Sequence, residues 1–202
     1  MTPRDPIAGA QSNHARPERA DAARNRARIL AAARRLFAER GIDGVTMSDV
    51  AREAGVAKGT IFHRFGDRAG LAMALVDEHE RELQERILRG PPPLGPGAPA
   101  ADRLAAFLDA LTELTVQNCE LLLEVDRSGP AARYRTGAYG AWLQHTVLLL
   151  NEFGAAANPA LLAHLLLAPL SPDLVWHLHE DEKVTTAELA AAVRDVAARA
   201  TS

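Results

Sequence analysis

Apolar positions recur along almost the whole chain at spacings of three and four residues, and no stretch alternates apolar and polar with the period of a strand. The first run starts near Arg24, with Ile29, Ala33, Leu36 and Phe37 on one face. It stops at Gly41, where a left-handed glycine would end a helix. A second run begins at Thr46. The Thr46 hydroxyl suits an N-cap, Asp49 completes a capping-box-like pair, and Val45 and Val50 stand where a hydrophobic staple would close. Gly55 breaks that run, and a third short helix is predicted from about Ala57 to Phe65, with Ile61 and Phe65 facing inward. Asp67 then offers a cap to a long fourth helix carrying Leu71, Leu75, Val76, Leu83 and Ile87 on its inner side.

The stretch "GPPPLGPGAPA", Gly90 to Ala100, cannot be helical, because its prolines lack donors and its glycines lack stiffness. It reads as a flexible loop over 90–100. Beyond it, helical segments are predicted at about 101–117, 119–127, 132–153, 159–180 and 185–200, with Pro169 and Pro172 kinking or interrupting the fourth of them. Residues 1–22 carry Pro3, Pro6, Gly9 and Pro17 with little apolar content and read as a disordered basic tail. No internal repeat is visible. The predicted fold class is all-α.

Composition narrows the function classes. Of 202 residues, 48% are hydrophobic and 24% charged, which is ordinary for a soluble chain able to bury a core. The single cysteine, Cys119, excludes an internal disulfide and a multi-cysteine metal site. No apolar run reads as membrane-spanning and the start lacks a signal-peptide pattern, so the cytoplasm is the expected location. The net charge of −3 hides an asymmetry. Lys and Arg outnumber Asp and Glu by 13 to 8 in residues 1–68, whereas the remainder has 10 against 18. A basic N-terminal third on an acidic body points to a polyanion-binding module joined to a part that binds none.

A short helix, a tight turn and a second short helix (46–65) is the arrangement that sets a recognition helix in the DNA major groove. Side chains reaching that groove must donate to phosphates and base edges. Lys58 and Thr60 sit in the first turn of the second helix, where the amides and the positive dipole end also favour a phosphate. Gly59 removes a side chain where backbone and groove could approach closely. His63 and Arg64 fall on the outer side. The competing reading is a solvated charged face between two core-packing helices.

The stretch "ILAAARRLFAERGIDGVTMSDVAREAGVAKGTIFHRFGDRAGL" also resembles the N-terminal domain of the tetracycline-repressor (TetR) family of transcriptional regulators. The resemblance covers residues 24–84 and rests on an "A..LF...G" first helix, "T...VA..AGV", and "KGT(I/L)(Y/F)..F" followed by a basic residue and leucine. It implies a homodimeric, two-domain helical regulator. Residues 23–84 would bind DNA, and 85–202 would form a larger ligand-binding and dimerisation domain. Carried over by position, Thr46 would meet a phosphate, Lys58, Gly59 and Thr60 the groove, and Arg68 a phosphate where the family usually has lysine. Phe62 replaces a common tyrosine and so lacks its phenolic hydrogen bond. Arg64 stands where His or Tyr is frequent and can restore that interaction by charge, leaving His63 to help set base preference.

The C-terminal part matches the family only in length, helicity and layout. "ALLAHLLLAPL" is more apolar than one buried face needs, so the last two segments (159–200) are expected to pair two subunits. A pocket for a small-molecule effector is expected among the fourth to eighth helices, with Asn118, Cys119, Asp126, Tyr134, Trp142 and His145 as its polar and aromatic candidates. Trp142 and His145, three apart, share a face. His177 and His179 lie about 200° apart on a helix, which does not suit one metal ion. No catalytic motif is present, so neither an enzyme nor a cofactor is expected. The expected function is a ligand-released, DNA-binding repressor. The alternatives are a ligand-independent architectural DNA-binding protein and, further off, an enzyme in the C-terminal domain.

Overall fold

The computed structural model describes residues 15–129, 131–154 and 158–201, and the regular structure among them is all helical, with no strand. They group into two compact units that divide between Asp67 and Arg68.

The smaller unit holds α1 (Ala15–Arg40), α2 (Met47–Ala54) and α3 (Lys58–Phe65). Part of the tail expected over 1–22 is helical, since α1 already runs from Ala15; residues 1–14 lie outside the described residues. Ile29, Leu30, Ala33 and Leu36 of α1 meet a core completed by Val45, Val50, Ala51, Ala54 and Ile61. Both halves of the capping box form at Thr46, with the Asp49 amide bonded to the Thr46 Oγ1 at 3.2 Å and the Thr46 amide to Asp49 Oδ2 at 3.1 Å. Those bonds from Thr46, helped by Arg52, hold the Asp49 carboxyl down at about 2. Two long-range interactions lock α1 to α2. Arg28 Nη2 donates to the Ala54 carbonyl at 2.6 Å, and Arg35 pairs with Glu53 at 2.8 Å. Gly55 ends α2 at φ +64°, the left-handed conformation that favours glycine, and an added Cβ would stand 2.9 Å from Arg28 Nη2, so the end of that flexible side chain would have to shift.

The larger unit is a helical bundle of α4 (Arg68–Arg89), α5 (Ala100–Gln117), α6 (Cys119–Asp126), α7 (Gly137–Phe153), α8 (Pro159–Leu167), α9 (Pro172–Trp176) and α10 (Thr186–Ala200). Its core gathers Leu83, Ile87, Phe107, Leu108, Trp142, Leu149, Ala163, Leu166, Val175 and Val193. α4 groups wholly with this unit rather than being shared out at residue 84, because it packs along α5 and α6. The segment 90–100 is non-helical as expected, but it is anchored: Leu94 is buried in the core and the Gly95 amide bonds to the Pro91 carbonyl at 3.0 Å.

Two predicted helices are divided. A single 3-10 turn, Ala132–Arg135, precedes α7, whose start is set by Thr136 accepting from the Tyr139 amide at 3.1 Å. Between α8 and α9 a 3-10 turn spans Ala168–Leu170, and a π-helical turn follows at His177–Asp181, so Pro169 and Pro172 do interrupt the segment. Contrary to the sequence reading, Pro159–Asp181 is long and apolar enough to cross a membrane by length and composition. It is instead broken at Ala168–Leu170, and it buries Ala163, Leu166, Leu167, Leu170 and Val175 within the bundle.

Candidate nucleic-acid interface and ligand cavity

The outer face of α3 follows from how the helix is anchored. Ile61 is fully buried and Phe65 partly so, which turns Lys58, Gly59, Phe62, His63 and Arg64 to solvent and leaves Thr60 half-buried. Lys58, His63 and Arg64 make no ion pair among the described residues, so three donors stand on one short surface without an acidic partner there. Lys58 Nζ lies 5.7 Å from the centre of the Phe62 ring, which tethers the ammonium beside the aromatic face. No side chain caps α3 at Ala57; the Thr60 amide bonds to the Ala57 carbonyl at 2.9 Å, and the start of the helix before it has no side-chain acceptor to compete with an anion. Gly59 has open space around it. Thr46 is exposed at the start of α2, its hydroxyl bonded to Asp49 Oδ2 at 2.6 Å.

Arg68 differs from these. At the first position of α4, its Nε and Nη2 donate to the two carboxylate oxygens of Glu124 on α6 at 2.7 and 3.1 Å. Arg127 adds a third bond to Glu124 at 3.0 Å. The Glu124 side chain is only 8% exposed, so this fork-on-fork pair is a structural tie between α4 and α6. A phosphate bound by Arg68 would compete with it.

Within the larger unit a cavity opens between α4, α5, α6, the 132–135 turn, α7 and the α8–α9 connection, with about 700 Å³ of space, part of it open to solvent. Its wall is mostly apolar: Met73, Leu111, Leu122, Val125, Trp142 and Leu167. Two charged residues reach it, Glu80 and Arg133. Glu80 is 8% exposed and makes no hydrogen bond or ion pair among the described residues. Burial, reinforced by Asp77, raises its carboxyl to about 7. Arg133 is differently placed. Its Nη1 lies 3.7 Å from Asp126 and 3.8 Å from Asp173, its Nη2 donates to the Tyr134 hydroxyl at 2.7 Å, and its guanidinium sits 4.7 Å from the Tyr134 ring centre.

Of the expected pocket residues, Tyr134 and Trp142 line this cavity. Asp126 stands behind the wall against Arg133, and burial raises its pKa despite that partner. The other three have structural placements. Asn118 bonds to His79 at 2.9 Å and to the Leu114 carbonyl at 2.8 Å. Cys119 donates to the Pro172 carbonyl at 3.1 Å, and burial pushes its thiol up to about 12, so it is a packed, unreactive group. His145 shares a face with Trp142 as expected, but that face meets Phe107, with ring centres 5.0 and 5.9 Å apart. Its buried Nε2 has no partner among the described residues, and burial together with Arg103 lowers its pKa to about 4. The two histidines of "WHLHEDE" find separate partners, His177 the Asp181 carboxylate and His179 the Val184 carbonyl. No group of metal-binding side chains occurs among the described residues. Sequence reasoning missed Glu80, although a signal existed: it interrupts an otherwise apolar helical stripe of Met73, Val76, Leu83 and Ile87.

Comparison with known proteins bears on the sequence family and the fold. Residues 29–75 match the sequence model of the bacterial regulatory proteins of the tetR family. The transcriptional repressor AcnR of Corynebacterium efficiens is 40% identical over 63 residues, 31% of this chain and 34% of the relative. The regulator TtgR of Pseudomonas putida is 43% identical over 61 residues, 30% of this chain and 29% of the relative. These matches thus span about a third of each curated relative. Solved structures extend the likeness across the fold. A TetR-family regulator from Pectobacterium atrosepticum superposes with a TM-score of 0.64 at 25% identity, covering 88% of this chain and 94% of that one. The regulator FadR of Bacillus subtilis, solved in complex with stearoyl-CoA, shares the fold with a TM-score of 0.60 at 21% identity, over 84% and 95% of the two chains. Residues 29–75 thus match the tetR-family sequence model, and the helical fold as a whole is similar to that of TetR-family transcriptional regulators.

Proposed function

We propose that the protein is a homodimeric, cytoplasmic transcriptional repressor that leaves its operator when a small molecule fills the cavity of the larger unit. The observation that carries the reading is the chain continuity of α3 and α4. The basic recognition helix ends at Phe65, and the helix starting at Arg68 supplies Met73 and Glu80 to the cavity wall. A ligand that shifts α4 therefore acts on the element next to the DNA-contacting residues Thr46, Lys58, Gly59, Thr60, Phe62, His63 and Arg64.

Pairing through α8 and α10 is supported by the apolar side chains they leave uncovered. Leu161 and Leu165, one turn apart on α8, are 56% and 59% exposed, and Val196 on α10 is 50% exposed. A second subunit would cover them. In such a dimer the recognition helices must stand about 34–36 Å apart to enter successive major grooves. A ligand favouring another spacing depopulates the DNA-binding form by no more than its differential affinity.

Mapping the genomic sites bound by the protein, then titrating one such site with candidate effectors, tests the reading. Linkage requires that operator DNA weaken effector binding by the same factor as effector weakens DNA binding. Operator affinity unchanged by any compound that occupies the cavity would leave a ligand-independent architectural protein as the better account.

A further inference from the structure

Glu80 is a buried acid on an apolar wall, with no bond to any described residue to account for it. Leaving a carboxylate there unpaired is costly, and the described helices around it supply no cation. Glu124 on α6 is committed to Arg68 and Arg127, and on α5 Asp109 pairs with Arg194 and Arg103 faces Glu152. Arg133, the one cation on the wall among the described residues, is flanked by Asp126 and Asp173. The cavity therefore carries one acid whose charge is not balanced, facing a wall that includes the rings of Tyr134, Tyr139 and Trp142.

We infer that this cavity takes an apolar organic cation, its ammonium set against Glu80 and its hydrocarbon body among the aromatic and leucine side chains. The inference rests on the reading of the cavity as the effector site and names the chemical class. An ammonium supplies the missing countercharge, and ring faces attract it further. A carboxylate ligand would set a second negative charge beside Glu80; it could draw only on Arg133, whose buried Nη1 has no hydrogen-bond partner among the described residues but already has the Asp126 and Asp173 carboxylates 3.7 and 3.8 Å away. A neutral chain would fill the apolar space and leave the acid as it was.

Three probes with one hydrocarbon tail, n-decylammonium, n-decanol and n-decanoate, separate these cases by titration calorimetry on the full-length protein and on Glu80→Gln. At pH 8 the ammonium should bind about tenfold or more tighter than the alcohol, and Glu80→Gln should lose that preference while binding the alcohol as before. The alcohol thereby reports that the variant's cavity is intact. From pH 8 to pH 6 the wild-type preference should shrink several-fold as Glu80 takes up a proton. Alcohol or decanoate binding as tightly as the ammonium, or a preference that survives in Glu80→Gln, overturns the inference. Operator release is read separately, by fluorescence anisotropy of labelled DNA. Ammonium binding through Glu80 without release would leave the ligand class standing and remove the cavity's regulatory role. Release by decanoate alone would do the reverse.

Discussion

Removing the Glu80 charge should stabilise the folded protein progressively as pH rises above 4.5, and in full above about pH 7. Its carboxyl has an ordinary value of 4.5 and is raised to about 7 in the fold by burial first and by Asp77 second. Below pH 4.5 the group is protonated in both folded and unfolded chains and costs nothing. Between 4.5 and 7 only the unfolded chain releases the proton, so stability falls as pH rises; above 7 the whole penalty is present. At roughly 1.4 kcal/mol per pH unit, the interval from 4.5 to about 7 amounts to about 3 kcal/mol. Glu80→Gln keeps the size of the side chain and abolishes the ionisation. Urea denaturation of both proteins at one fixed concentration, from pH 4.5 to 8.5, gives the difference directly. Contributions from other groups, such as the buried His145, cancel in that difference. The variant should match the wild type near pH 4.5 and exceed it by about 3 kcal/mol at pH 8.5. Two curves that stay parallel across the range would show that Glu80 reaches solvent or a partner, and the argument from its burial would fail.

Ala in place of Lys58 or Arg64 should weaken binding to all DNA sequences alike and flatten the log–log salt dependence by about 0.9 for each phosphate no longer neutralised, whereas His63→Ala should change base preference at one operator position in a selection assay. Leu161→Glu on the exposed face of α8 should shift sedimentation from dimer to monomer and abolish operator binding at equal protein concentration. Arg68→Ala strips a buried carboxylate of its two-bond partner, with Arg127 left as the remaining one; a loss of about 1–3 kcal/mol in chemical denaturation is expected, and an unchanged midpoint would deny the tie between α4 and α6 any structural weight. Gly55→Ala should cost about 1–2 kcal/mol, because the residue sits at φ +64° against Arg28, and its thermal midpoint is the readout.

The smaller unit is legible in the chain because its determinants are local. Thr46 with Asp49, the valines at 45 and 50, and the glycines at 41 and 55 each act within one helical turn, so spacing is enough to place them. The outward set of α3 follows in the same way from Ile61 and Phe65. Local pattern falls short where one residue breaks the character of its surroundings. Periodicity absorbs Thr136 into a longer helix, yet its side chain caps α7 and splits off the preceding turn. Proline and glycine content absorbs Leu94 into a loop, yet its burial pins that loop to the bundle.

The sequence by itself determined the all-helical class, the order of the helices, the basic outer face of α3 and the resemblance to the TetR family, because helix period, capping and charge are properties of neighbouring residues. Tertiary structure alone decided what the polar residues of the larger unit do. Arg68 and Glu124 are 56 positions apart and meet through two hydrogen bonds. Asn118, Cys119 and His145 look like pocket chemistry in the chain, but packing assigns them to His79, to a backbone carbonyl and to Phe107. Glu80 interrupts an apolar helix stripe in the chain, but only the fold shows that it is buried on the cavity wall without a countercharge. The physical reason is that desolvation and countercharge depend on which distant helices close around a side chain, and no pattern of near neighbours encodes that.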